Sequence, residues 1–225
     1  MKLRFNYIDN EIKVDNDYIN VIEIENKSYF FRTVNNLLMT TNSNMVEELT
    51  FFDENYKELN MFNKFNIIID YFNIDFNTKR NMTFMTKKIS ENIPELDKVE
   101  LNNVYNKMIK IFKKYINNFD IDISVSEEFN INDLIKLFKL EINKKDNLLD
   151  NLLLLIDIEK EFCLDQILIF INLKQYLNTI ELVELYKYSI YNNVKILIID
   201  SQNYGTTLDY EKKLIIDSNL DEFVL

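Results

Sequence analysis

The chain has 225 residues, 47% hydrophobic and 28% charged, with a net charge of -11. That is enough for one globular domain, or one domain with an appendage, and the acidity taken alone argues against a nucleic-acid partner. With no histidine, one glycine (Gly205) and one cysteine (Cys163), the chain cannot write a histidine-based triad, an imidazole metal site, a glycine-rich phosphate loop, a dinucleotide fingerprint, an EF-hand loop or an internal disulfide.

The first 25 residues read as strands: Leu3 to Tyr7 alternates, Glu11 to Val14 follows a turn at Asp9-Asn10, and Ile19 to Glu25 is rich in β-branched residues. Glu25-Asn26-Lys27 then leads into a helix through Val34, Leu37 and Leu38, as a phosphate-binding first βα unit would, but without a glycine to form a nest of backbone N–H groups. Leu49 to Asp53 and the residues around Tyr56 suggest a hairpin turning near Glu54-Asn55. From Asn63 the spacing of Ile67, Ile68, Tyr71 and Phe72 predicts helix. Asn77 or Thr78 caps a second helix reaching about Asn92, and Pro94 opens a third that runs to about Asn118, roughly 36 Å at the usual rise. On that third helix Val104, Met108, Ile111, Phe112 and Tyr115 form one stripe and Lys107, Lys110, Lys113 and Lys114 lie opposite.

Asp120 to Val125 alternates like a strand, Ile131 to about Lys139 predicts a short helix, and Leu140 to Ile142 a brief strand. Asn147 to Cys163 is apolar enough to be a buried covering helix, with Cys163 in the core. Two apolar runs, Ile167 to Ile171 and Val194 to Asp200, flank a helical pattern from Thr179 to Asn193, which predicts a βαβ unit with parallel strands buried on both faces. A polar stretch, Ser201 to Asp209, precedes a last strand at Lys213 to Ile216. The pieces divide into an α/β head (residues 1–62 and 140–225) interrupted by a mostly helical insertion (63–139). No run approaches the roughly 20 apolar residues of a membrane span, and Met1 to Asn10 lacks a signal-peptide core, so the expected home is a reducing cytoplasm.

Charge is segregated along the chain. Between Asn77 and Asn118 nine cations (Lys79, Arg80, Lys87, Lys88, Lys98, Lys107, Lys110, Lys113 and Lys114) face four acids, a balance of +5 against -16 for the remainder. Such a segment is either a solvated helix back or a phosphate-binding surface. Asp120, Asp122, Glu127 and Glu128 offer hard oxygen ligands for a cation, and the bland alternative is again a solvated face; Asp133 is explained equally well as a helix N-terminal acid. The strand ending at Asn172 lacks the acidic pair that would hold magnesium in a working ATPase, and Asp200 has no phosphate loop to serve.

In the order and spacing of its pieces the chain resembles the type II-A CRISPR spacer-acquisition accessory family called Csn-two. The likeness is carried by Leu49-Thr50-Phe51-Phe52-Asp53, Ile68 to Asp75, the acidic stretch and helix from Asp120 to Lys139, and Ile167 to Asn172 with the helix and strand after it. The resemblance implies an α/β fold with an ATPase-like, degenerate P-loop-type head around a mostly parallel sheet, and an inserted helical leg. It implies a non-catalytic protein that forms a calcium-stabilised, ring-shaped homotetramer around double-stranded DNA, binds at free ends, holds no nucleotide, and works with the adaptation integrase complex and the RNA-guided nuclease in the bacterial cytoplasm. On that reading Lys79, Arg80, Lys87, Lys88, Lys107, Lys110, Lys113 and Lys114 are the DNA-binding candidates, and Asp120, Asp122, Glu127 and Glu128 the calcium ligands. The residues alone leave two alternatives: a metal-dependent nuclease built on the same acids, and an acidic scaffold that touches only proteins.

Overall fold

The computed structural model describes residues 1–5, 8–40, 49–53, 55–59, 64–162 and 164–225. Glu54 in the expected hairpin turn and the expected core residue Cys163 lie outside them. The chain divides into two compact units, Met1–Asp75 with Lys144–Leu225, and Phe76–Asn143.

The first unit is an α/β structure with a mixed six-stranded sheet. Its strands are β3 (Ile19–Ile24), β5 (Phe65–Ile68), β6 (Ile167–Ile171), β7 (Lys195–Asp200), β8 (Glu211–Ile216) and β9 (Glu222–Val224), in the order β5-β6-β7-β3-β8-β9. All neighbours are parallel except β8 and β9. The apolar runs at 167–171 and 195–200 form adjacent parallel strands around α6 (Thr179–Tyr191), and β3 and β6 are buried along their whole length. Helix α6 starts where Asn178 and Glu181 form a capping box.

One face of the sheet carries Ile22, Ile24, Ile169, Ile171, Leu197, Ile199, Leu214 and Ile216. They share one apolar core with Tyr29 and Leu37 of α1 (Lys27–Thr40) and with a small antiparallel sheet, β2-β1-β4, made of β1 (Lys2–Phe5), β2 (Ile12–Lys13) and β4 (Leu49–Phe52). Alternation sends Val21, Leu168, Phe170, Ile196 and Ile198 to the other face. There α6 supplies the buried Leu182, Leu185 and Tyr186, and α5 (Leu148–Phe162) packs beside α6 with Leu152, Leu155 and Ile156 buried.

Two sequence expectations are corrected and a third is qualified. Residues 65–68, expected to open a helix, are the strand β5. The spacing of Ile67, Ile68, Tyr71 and Phe72 fits a helix, but the Asp70 carboxylate accepts from the N–H groups of Phe72 and Asn73 in a turn that stops one, and register pairing with β6 takes over. Residues 120–125 and 140–142, expected as strands, take no regular structure, and no strand lies beside either among the described residues. The expected hairpin is short: beyond Asp53 the chain turns back so that Phe52 and Glu58 form an antiparallel bridge, with the Asp53 N–H donating to the Lys57 carbonyl and the Leu59 N–H to the Phe51 carbonyl, while the other edge of β4 pairs with β1.

The second unit is helical: α2 (Lys79–Asn92), α3 (Glu95–Ile116) and α4 (Ile131–Leu137). Thr78 caps α2 by accepting from the Asn81 N–H. Pro94 precedes α3, whose first turn carries Glu95 and Asp97 and whose last carries Lys113 and Lys114, each sign suited to the helix dipole. With 22 residues α3 is about 33 Å long. The Asn77 side chain bonds both the N–H and the carbonyl of Ile142, tying the two ends of the unit together. Among the described residues no helix of either unit is long and apolar enough to cross a membrane.

Candidate nucleic-acid interface

The helical unit has a sparse interior: its buried side chains among the described residues are Phe76, Asn81, Ile109 and Ile135. Only Ile109 of α3 is buried, so the helix stands with most of its circumference in solvent. The stripe expected from the sequence is exposed in the single chain, Phe112 at 59% and Tyr115 at 65%, with Val104, Met108 and Ile111 also open. An apolar face of this extent is unusual on a monomer and marks a surface that meets something else.

Lys107, Lys110, Lys113 and Lys114 are all exposed on α3. The first three line one groove of about 590 Å³ with Asn103, Asn106, Ile109 and Glu127. Their spacing of three residues sets the ammoniums one above another along the helix. Amide side chains between them add neutral donors and acceptors, the mixture that suits phosphate and sugar oxygens. Lys113 forms an ion pair with Glu127, and the hydrogen bond from its ammonium holds the Glu127 carboxyl below the usual carboxylate range. No ion pair engages Lys79, Lys107, Lys110 or Lys114 among the described residues.

The candidate cations on α2 stand apart from that groove. Lys79 is exposed, Arg80 lies over the Phe84 ring, Lys87 pairs with Glu91 at 3.8 Å, and Lys88 is half-buried. Of the candidate metal ligands, Asp120, Asp122, Glu127 and Glu128 are all exposed. Among the described residues no three acidic, cysteine or histidine side chains converge as a metal site would require. Tyr105 ties the acidic stretch to α3 through its hydroxyl, which donates to the Ser126 carbonyl, and through its ring against Phe129.

A second polar constellation lies inside the α/β unit. Glu23 and Asp200 sit side by side at the carboxyl ends of β3 and β7. The Lys174 ammonium lies 3.1 Å from Glu23 and 2.8 Å from Glu211, and the Lys213 ammonium 3.0 Å from Glu23. All five side chains are buried. The Tyr186 hydroxyl donates to Glu211 at 2.8 Å, and burial together with that carboxylate pushes its pKa up. Burial pulls the Lys174 ammonium down, but Glu211 and Glu23 outweigh it and hold the group above the ordinary lysine value.

Sequence reasoning named Asp200 alone of these five. Its available signal was a charge inside each apolar strand, Glu23 in β3 and Lys213 in β8.

The family profile of the CRISPR-associated protein Cas_Csn2 matches residues 42–220. No curated protein matches the sequence. Among solved structures, the crystal structure of Stu0660 of Streptococcus thermophilus is similar in fold, with a TM-score of 0.66 at 13% identity, over 100% of this chain and 76% of that one.

Proposed function

This chain belongs to the CRISPR-associated Cas_Csn2 family, and from that premise we propose that it is a non-catalytic protein that binds double-stranded DNA during spacer acquisition, as an assembly of identical chains. The observation that carries the DNA reading is the groove of Lys107, Lys110 and Lys113 on α3, in a protein whose charge is otherwise strongly negative. Cations gathered on one helix face neutralise phosphates whatever the sequence, and the acidic remainder keeps other surfaces off the duplex. Self-assembly is supported by the exposed stripe of α3: an assembly of identical chains would give Phe112, Ile111 and Tyr115 a partner.

The head has the frame of a nucleotide-binding ATPase without its equipment. Counting β3, β5, β6, β7 and β8 as first to fifth, the first strand lies between the fourth and the fifth, with the third and second beyond, an order used by P-loop ATPases. The turn after β3 contains no glycine, and Lys174 and Lys213 take up the carboxylate at its end. The head therefore serves as a rigid carrier of the helical unit and needs no nucleotide.

The calcium implied by the family resemblance does not fit one copy. Calcium takes six to eight oxygens, whereas Asp120, Asp122, Glu127 and Glu128 do not converge and Glu127 is already paired with Lys113. No part of the DNA reading rests on it. Band shifts of linear duplex against closed circles of the same sequence test the proposal: retarded linear DNA is expected. No shift with either form leaves the protein-only scaffold, and cleavage on adding magnesium or manganese leaves the nuclease.

A further inference from the structure

The buried cluster of the head has an odd charge. Glu23, Glu211 and Asp200 contribute three carboxylates, and Lys174 and Lys213 two ammoniums. Glu23 is paired with both cations and Glu211 with Lys174, and each accepts from a backbone N–H, those of Tyr204 and Leu208 respectively. Asp200 is fully buried, no side chain among the described residues donates a hydrogen bond to either of its oxygens, and the one donor acting on it is the backbone N–H of Lys174. The other ionisable groups acting on it are the Tyr71, Tyr186 and Tyr204 hydroxyls. Tyr71 already donates to the Ile171 carbonyl and Tyr186 to Glu211. A carboxylate buried there without an ammonium of its own is costly in its charged form, and taking up a proton removes that charge.

The surrounding backbone hangs on the same side chains. Lys174 lies in the 3-10 turn Leu173–Gln175, which follows Asn172 in a left-handed conformation (φ 58°). The Asn172 side chain accepts from the Ser201 N–H, Glu23 accepts from Tyr204, and Lys213 donates to the Thr206 carbonyl. We propose that Asp200 is a proton-binding site that completes the charge balance of this cluster, and that loss of the proton loosens the 173–175 turn and the 201–210 loop that are bonded to it. Burial, reinforced by Glu23 and Glu211 and opposed by Lys174, pushes the Asp200 carboxyl up to about 7. The closed state thus holds a proton that an opened, solvated Asp200 gives up near the ordinary aspartate value of 3.8. Protection is complete below that lower value, falls as pH rises between the two, and is lost once pH passes the upper one.

The test is amide exchange on the full chain from about pH 5 to about pH 9, corrected for intrinsic rates. Opening of residues 173–176 and 201–208 is expected to increase about tenfold per pH unit up to about pH 7 and then level off. Asp200→Asn should make the same amides insensitive to pH. Equal pH dependence in both proteins, or none in the wild type, overturns the proposal. Should the variant fail to fold, the wild type labelled at the aspartate side-chain carboxyl carbon decides: one aspartate titrating near neutrality supports the site, and none doing so refutes it.

Discussion

Glu127 is the position where the DNA reading and the metal reading of the acidic stretch make opposite demands. It sits in the lysine groove of α3 and neutralises Lys113. In Glu127→Gln the groove loses one negative charge and Lys113 is released, while the amide keeps the size of the side chain. Both partners are exposed, so the fold should be indifferent to the change, and the melting temperature should stay the same. Binding of duplex DNA should respond through counterion release. One additional neutralised phosphate steepens the slope of log affinity against log salt by about 0.9, so the variant should gain about 3.5-fold over the wild type when salt is lowered from roughly 200 to roughly 50 mM. Fluorescence anisotropy with a short labelled duplex at several salt concentrations measures this. If Glu127 instead supplies an oxygen to a calcium ion that orders the assembly, Glu127→Gln weakens binding and loosens the assembly. An unchanged salt slope, or weaker binding at every salt concentration, refutes the assignment of Glu127 as a brake on a phosphate-binding lysine.

Replacing Phe112 by Asp should leave the stability of a single chain within about 0.5 kcal/mol, because the ring is 59% exposed. It should, however, lower the self-association constant at least about tenfold, since a charge then sits in an apolar contact. Sedimentation equilibrium reads this, and an unaltered mass distribution removes α3 from the interface. Lys174→Met strips the ammonium that Glu23 and Glu211 share at 3.1 and 2.8 Å, and loss of one partner from a buried ion pair costs about 3–5 kcal/mol. The midpoint of urea unfolding should drop accordingly. A loss of under about 1 kcal/mol means that Lys213 and the tyrosines balance the carboxylates unaided.

The central parallel strands were legible because their apolar runs are short, β-branched and buried on both faces, as β6 and β7 are. β5 was not. Its apolar residues fit a helical spacing equally well, and what decides is the edge of β6 that awaits a partner more than a hundred positions later in the chain. The lysine stripe of α3 was legible from helical periodicity, and so was its apolar counterpart, but periodicity cannot tell a face that packs inside the chain from one left open to another molecule. The buried ionic cluster was illegible for the same reason as β5: Lys174, Glu23, Glu211 and Lys213 come from three separate elements, and only the fold brings each ammonium within 3.1 Å of a carboxylate. The four acids between Asp120 and Glu128 illustrate the converse, since closeness in sequence put them on an exposed stretch without gathering them around a common point.

The claim that this family member grips duplex DNA through α3 is tested most directly by the salt dependence of linear-duplex binding, comparing the wild type with the double charge reversal Lys107→Glu and Lys110→Glu. Both residues are exposed in the same groove, so the variant should fold and melt as the wild type does. Binding should weaken for every duplex sequence, and the slope of log affinity against log salt should become shallower by about two units, one for each lost phosphate contact. An affinity and a slope equal to those of the wild type would contradict the account.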